Sequence, residues 1–227
     1  MLIVERLDPR DRAAAQQVAD LHLKYLADSP VVQFGPRFLR RFYYGKLLTS
    51  GLVECTIGRD GDLVVAFISY TRNSLDFMQR GVRRWPIYLS WVMLLSLLAR
   101  PALIRDLWTV LRLMRERSQE AGQDSGQVSG EVLSLVVAES HRAQVPAGGK
   151  SRLTVRLFED VVEYFRSAGQ DKFYLLVQPS NRASNIFCAS MGCAFEKVMN
   201  MGMPVHRYTY QIPAQEPRLE VETGSNS

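Results

Sequence analysis

Seven consecutive residues, Val132 to Ala138 (VLSLVVA), constrain this chain more than any other stretch. They carry no charge and are almost wholly aliphatic. A strand with one wet face alternates polar and apolar residues; a continuous apolar run predicts a strand covered on both faces. A loop, SHRAQVPAGG (140–149), follows it. Next comes a helix from about Lys150 to Ala168, in which Leu153, Leu157, Val161 and Phe165 step by four. Phe158 and Val162 lie beside them, and Gly169 supplies the stop. Phe173 to Val177 is a second apolar strand, and a short helix from about Asn181 to Met191 ends at Gly192. Strands alternating with amphipathic helices predict an α/β (α+β) domain.

The flanking sequence extends this pattern. LIVERL (2–7) reads as a strand. Ala14, Val18, Leu21 and Tyr25 recur at helical spacing within 12–27, and a second helix is predicted after Pro36. Leu52 to Ile57 and Leu63 to Tyr70 flank Asp60-Gly61, which predicts a hairpin. Cys193 to Val198 and Val205 to Ile212 close the set of strands, so residues 1–212 are expected to form one domain. The polar, acidic tail (213–227) is expected to be disordered.

Between about 73 and 130 the character changes. Two apolar helical segments, 86–99 and 102–117, are separated by Arg100-Pro101 and followed by the linker AGQDSGQVSG (121–130), predicting an inserted helical hairpin. Residues 80–117 carry eight arginines and two acids, net +6, against +5 for the whole chain, so the remainder is near neutral. The uncharged run from Trp85 to Ala99 is shorter than the roughly 20 residues of a membrane span. The arginines alternate with long aliphatic runs and no nucleic-acid motif is present, so no nucleic-acid partner is expected. Cys55, Cys188 and Cys193 have neither metal-ligand nor disulfide-framework spacing, so no metal is expected. The N-terminus lacks the pattern of a signal peptide, and a cytoplasmic location is expected.

The segments EVLSLVVAESHRAQVPAGGKSRLTVRLFEDV and LLVQPSNRASNIFCASMGCAF resemble the GNAT superfamily of acetyl-coenzyme A-dependent N-acyltransferases. That family places a pyrophosphate-binding loop, Arg/Gln-x-x-Gly-x-Gly/Ala, between a strand and a helix. A second strand then leads into Asn-x-x-Ala-x-x-x-Tyr-x-x-x-Gly-Phe. Here Asn181 is followed by Ser184 in the Ala position, Cys188 in the Tyr position, Gly192 and then Cys193. The first loop departs from the pattern: Val145 and Pro146 stand where Arg or Gln is usual, and Arg142 is displaced upstream. The resemblance implies a twisted mixed sheet of about seven strands flanked by helices, with acetyl-CoA as co-substrate. It implies pantetheine contacts from Leu135, Val136 and Val137. Arg142, Gly148, Gly149, Lys150 and Ser151 would hold the pyrophosphate, as backbone N–H groups at a helix start suit an anion. Asn181 and Phe187 would complete the site.

The implied reaction is transfer of an acetyl group to the primary amine of a small molecule. Glu131 and Glu139 flank the apolar strand as candidate bases, Glu131 being preferred; His22 and His206 read as packing or surface residues. Cys188 is either the acid that protonates the departing thiolate or a small packing residue, and if it only packs, Tyr164 and Tyr174 come next. The N-terminal half, with ADLHLKYLADS, FGPRFLRRFYYGKLL and the basic apolar insertion, resembles GNAT-type proteins of bacterial surface-glycan synthesis. Their acceptors are amino sugars on nucleotide or lipid carriers. On that reading residues 80–117 form an acceptor lid or a membrane-surface contact; core packing or a homodimer interface are the alternatives. A GNAT-shaped acyl-CoA-binding module with an inactive site is the alternative to an enzyme.

Overall fold

A computed structural model describes residues 1–74, 76–99, 130–149, 151–200 and 203–214. The second predicted insertion helix (102–117), Lys150 and nearly all of the predicted tail lie outside the described residues. Seven strands form one sheet: β1 (Leu2–Arg6), β2 (Glu54–Asp60), β3 (Leu63–Thr71), β4 (Gly130–Val137), β5 (Lys172–Val177), β6 (Ala194–Asn200) and β7 (Pro204–Gln211). Their spatial order is β1-β2-β3-β4-β5-β7-β6. Only β4 and β5 pair in parallel; the other neighbours are antiparallel. The predicted hairpin is β2–β3, turning at Gly61 with φ +58°.

Two apolar clusters lie on the two faces of the sheet. The first packs Val64, Phe67 and Val136 against helix α1 (Arg12–Tyr25) and the chain from Phe34 to Leu48. The second packs Val65, Ile68, Val132 and Val137 against α5 (Leu153–Ser167) and Cys188 of α6 (Arg182–Ser190). β4 feeds both clusters, which is the burial on both faces that its composition predicts.

Helix α1 begins where Asp11 accepts the Ala14 N–H at 2.9 Å. The predicted helix after Pro36 differs from its expected form. A short α2 (Pro36–Phe38) runs directly into a nine-residue π-helix, Leu39–Leu47. The wider turn lets Leu39, Phe42, Tyr43, Tyr44 and Leu47 all reach the core. Among the described residues two short helices follow β3: α3 (Phe77–Arg84), which the sequence pattern does not mark, and α4 (Pro86–Ala99). Gly81 seats α3, since a Cβ there would lie 2.2 Å from Leu47 Cδ2.

His22 is a core residue, as expected from its place on α1. It is fully buried, stacks on Phe67, and its Nδ1 lies 2.8 Å from the Tyr44 hydroxyl. Among the described residues its Nε2 meets no hydrogen-bond partner. Burial depresses the imidazole from 6.5 to about 4. Between those values the unfolded chain binds the proton more tightly than the fold does, so stability falls as pH drops below about 6.5. The loss reaches about 3 kcal/mol near pH 4. Urea unfolding from pH 7 to 4.5 should show this decline, with a flatter profile for His22→Asn; an equally steep variant profile would assign it to other groups.

Candidate active site

β4 and β5 share only three register positions: Gly130–Phe173, Glu131–Tyr174 and Val132–Leu175. β4 nevertheless stays paired with β3 as far as Val137–Ala66. The separation begins at a bulge, where Ser69 faces Ser134 and Tyr70 faces Val132, so Leu133 is the extra residue. Such an insertion bends and twists its strand. Beyond it, residues 134–137 pair on their β3 side alone, and the other edge of β4 borders a gap. Leu135 and Val137 pack into the second cluster and Val136 into the first. What these three residues offer the gap is their backbone.

At the closed end of the gap sits Glu131, only 2% exposed. Tyr174 donates its hydroxyl hydrogen to Glu131 Oε2 at 3.3 Å, and Ser74 Oγ bonds the same hydroxyl. Val132 and Leu175 belong to the second cluster, so Glu131 and Tyr174 point to the opposite face. The Arg207 guanidinium lies over the Tyr174 ring at 4.6 Å and pairs with Glu196 at 3.0 Å. Tyr174 also lines a groove of about 300 Å³ with Lys172, Phe195, Glu196, Arg207 and Thr209. Glu139, the other candidate base, is exposed in a 3-10 turn. Ser74 is absent from the sequence reading because it meets Tyr174 across 100 positions of chain.

The loop after β4 is held by its own backbone. Ala147 N–H donates to Leu2 O, Gly149 N–H to Pro146 O and Leu153 N–H to Gln144 O. Gly148 takes φ +72°, a left-handed conformation that glycine adopts without strain. Arg142 is exposed and folds back so that its Nε donates to Val137 O at 3.4 Å. Helix α5 starts at Leu153, later than expected, because Arg152 is still extended. Ser151 therefore precedes the helix, and its hydroxyl donates to Glu159 at 3.5 Å. Among the described residues no side chain caps the first turn of α5, the end that an anion would satisfy.

Asn181 caps α6, its Oδ1 accepting the Ser184 N–H at 3.1 Å. One turn on, Asn185 ties this helix to the sheet. Its Nδ2 donates to Gln178 O, and its Oδ1 accepts from Tyr208 and lies 2.8 Å from His206 Nδ1. Asn185 had no sequence signal beyond its place one helical turn after Asn181. Phe187 sets its ring edge-on to Phe158 at 5.7 Å. Cys188 is 1% exposed within the second cluster. Cys193 donates its S–H to the Cys188 sulfur, which holds the Cys188 thiol below its ordinary range and pushes Cys193 up. Tyr164 is buried and accepts from Arg72 at 2.6 Å, and its burial raises the phenol. Among the described residues no cluster of His, Cys, Asp and Glu could hold a metal ion.

No protein-family model matches this sequence, and no curated protein sequence matches it. Solved structures do. An aminoglycoside 6'-acetyltransferase of type Ii is similar over 94% of this chain and 99% of its own, with TM-score 0.57 and 14% identity. A GNAT-family acetyltransferase from Streptococcus pneumoniae is similar over 94% and 100%, with TM-score 0.53 and 13% identity. The yncA protein of Salmonella typhimurium, solved with its cofactor acetyl-CoA, is similar over 94% and 95%, with TM-score 0.53 and 12% identity. The seven-stranded mixed sheet and its flanking helices are those of the GNAT acetyltransferase fold.

Proposed function

We propose that this chain moves an acetyl group from acetyl-CoA to the primary amine of a small molecule, an amino sugar being the favoured acceptor. The observation that carries the reading is the early parting of β4 from β5 with a buried carboxylate at its closed end. The residues present suit acetyl-CoA, which supplies an activated acetyl thioester. The edge of β4 from 133 to 137 offers backbone groups to an extended amide chain, as a strand would. Past the Leu153 N–H, which Gln144 O takes, the first turn of α5 offers N–H groups to phosphate.

On this reading Glu131 takes the proton that the amine must lose to become nucleophilic. The Tyr174 hydroxyl, bonded to both Glu131 and Ser74, orients the carboxylate and links it to the groove. Backbone N–H groups of β4 stabilise charge growing on the carbonyl oxygen. The groove combines the rings of Tyr174 and Phe195 with polar side chains, a lining that suits a hydroxylated amine. Cys188 serves packing, since its thiol is engaged with Cys193 and buried.

Calorimetric titration with acetyl-CoA, followed by thiol release against a panel of amines, tests the proposal. Saturable binding with acceptor-dependent release supports it. Binding without release on any amine favours the non-catalytic module, which the internally bonded Gly149 amide and the buried Cys188 would suit. A narrower prediction concerns the loop. Gly148→Val forces a β-branched residue to φ +72° and should weaken acetyl-CoA binding by about tenfold or more, about 1.4 kcal/mol. Unchanged affinity in the folded variant would remove the loop from the site.

A further inference from the structure

Helix α4 shows two different faces. Val92 and Ser96 are buried, with Tyr88, Leu89 and Met93 partly buried against the first core cluster. On the other side Ile87, Trp91, Leu94 and Leu98 are 85%, 57%, 49% and 72% exposed. Their spacing of four, three and four places them in one stripe about three turns long. The helix contains no charged residue. Exposed apolar side chains are ordinary when scattered, but a continuous stripe on an uncharged helix marks a contact surface.

Among the described residues, the charged side chains that touch this helix or immediately precede it are basic. Arg83 and Arg84 are exposed in the last turn of α3, immediately before it, and Arg84 stacks over Trp85 at 5.0 Å. Lys46 lies over the Tyr88 ring at 5.0 Å. Arg37, also exposed, donates to the carbonyl of Leu95. Arg80 differs from these, since Asp76 partly neutralises it at 2.7 Å. An apolar stripe carrying a tryptophan, with arginine and lysine along its flanks, matches a surface of apolar acyl chains beneath anionic headgroups.

We propose that α4 and the end of α3 dock this protein onto an anionic lipid surface, with Trp91, Leu94 and Leu98 entering the headgroup boundary. The helix lies on the surface and does not cross it. Its 14 residues extend about 21 Å, short of the roughly 30 Å hydrocarbon core, and no described helix is long and apolar enough to span a membrane. A second copy is a poorer occupant. The stripe offers four large side chains, whereas a stable dimer interface takes roughly 20 residues a side. This docking is independent of the acyl-transfer reading.

The test uses the full chain and vesicles of phosphatidylcholine with or without phosphatidylglycerol. Binding is read by co-sedimentation and by the blue shift of tryptophan emission. The wild-type protein should bind the anionic vesicles, more weakly as salt rises, and should bind neutral ones at least about tenfold more weakly. Trp91→Ser with Leu98→Ser should lower anionic-vesicle binding by about tenfold or more, and Arg83→Glu with Arg84→Glu should remove the preference for anionic lipid. Both pairs are exposed, so circular dichroism and the melting temperature should stay near wild type. Absence of wild-type binding, or undiminished binding by either folded double variant, would overturn the proposal. So would sedimentation showing a wild-type dimer that Trp91→Ser with Leu98→Ser converts to monomer while vesicle binding persists.

Discussion

Glu131→Gln is expected to lower kcat for acetyl transfer by about a hundredfold to a thousandfold, while acetyl-CoA affinity stays within about twofold. The substitution keeps shape and volume and leaves an oxygen that can still accept from Tyr174, 3.3 Å away in the wild type. What it removes is the capacity to take a proton. The side chain is 2% exposed, so water would not readily replace it. Tyr174→Phe should cost less, because it leaves the carboxylate in place and deletes only its link to Ser74. The pH dependence of kcat/KM separates a base from a structural carboxylate. The wild-type rate should rise with pH through the titration of the base, and Glu131→Gln should lose that limb. Turnover within twofold of wild type in a folded Glu131→Gln protein would return the role to another group.

Local features of the sequence account for most of the sheet. Asp60-Gly61 marks the β2–β3 turn, the apolar run at 132–138 marks the strand feeding both clusters, and Gly169 ends α5. Glu131 was legible as a carboxylate at the head of that strand. Its surroundings were not, because Tyr174 reaches it from the neighbouring strand, 43 residues away, and Ser74 meets Tyr174 across 100 residues of chain. The parting of β4 from β5 depends on the extra residue Leu133, and an extra residue inside a run of seven apolar ones leaves no mark in the pattern. The π-helix was hidden for a related reason. Phe38, Phe42 and Leu39, Tyr43 step by four, which suits an α-helix, and the wider turn shows only in how many consecutive side chains are buried. The resemblance left Cys188 open between acid and packing residue, and spacing alone shows neither its burial nor Cys193 beside it across the end of α6.

Phe165→Ala should destabilise the fold by about 3–5 kcal/mol and lower its melting temperature by roughly 10 °C or more. Phe165 has no exposed surface. It stacks on Phe173 at 4.8 Å and meets Tyr70 and Tyr164 edge-on at 5.7 and 5.5 Å. Truncation opens a cavity among rings that cannot collapse without moving β3, β5 and α5 together. The same ring lies over the start of β4, where a Cβ on Gly130 would come 2.3 Å from Phe165 Cε1 and 2.6 Å from Gln170 Oε1. Gly130 precedes Glu131, so the close approach of helix to strand also sets where the carboxylate stands. Gly130→Ala alone should therefore cost stability through overpacking, and turnover through displacement of Glu131. Combined with Phe165→Leu, which vacates the contested volume, the alanine should cost less than it does alone. A double-mutant cycle by urea unfolding measures that coupling. Simple additivity would mean that the strand moves freely beneath the ring, and that the placement of Glu131 owes nothing to this contact.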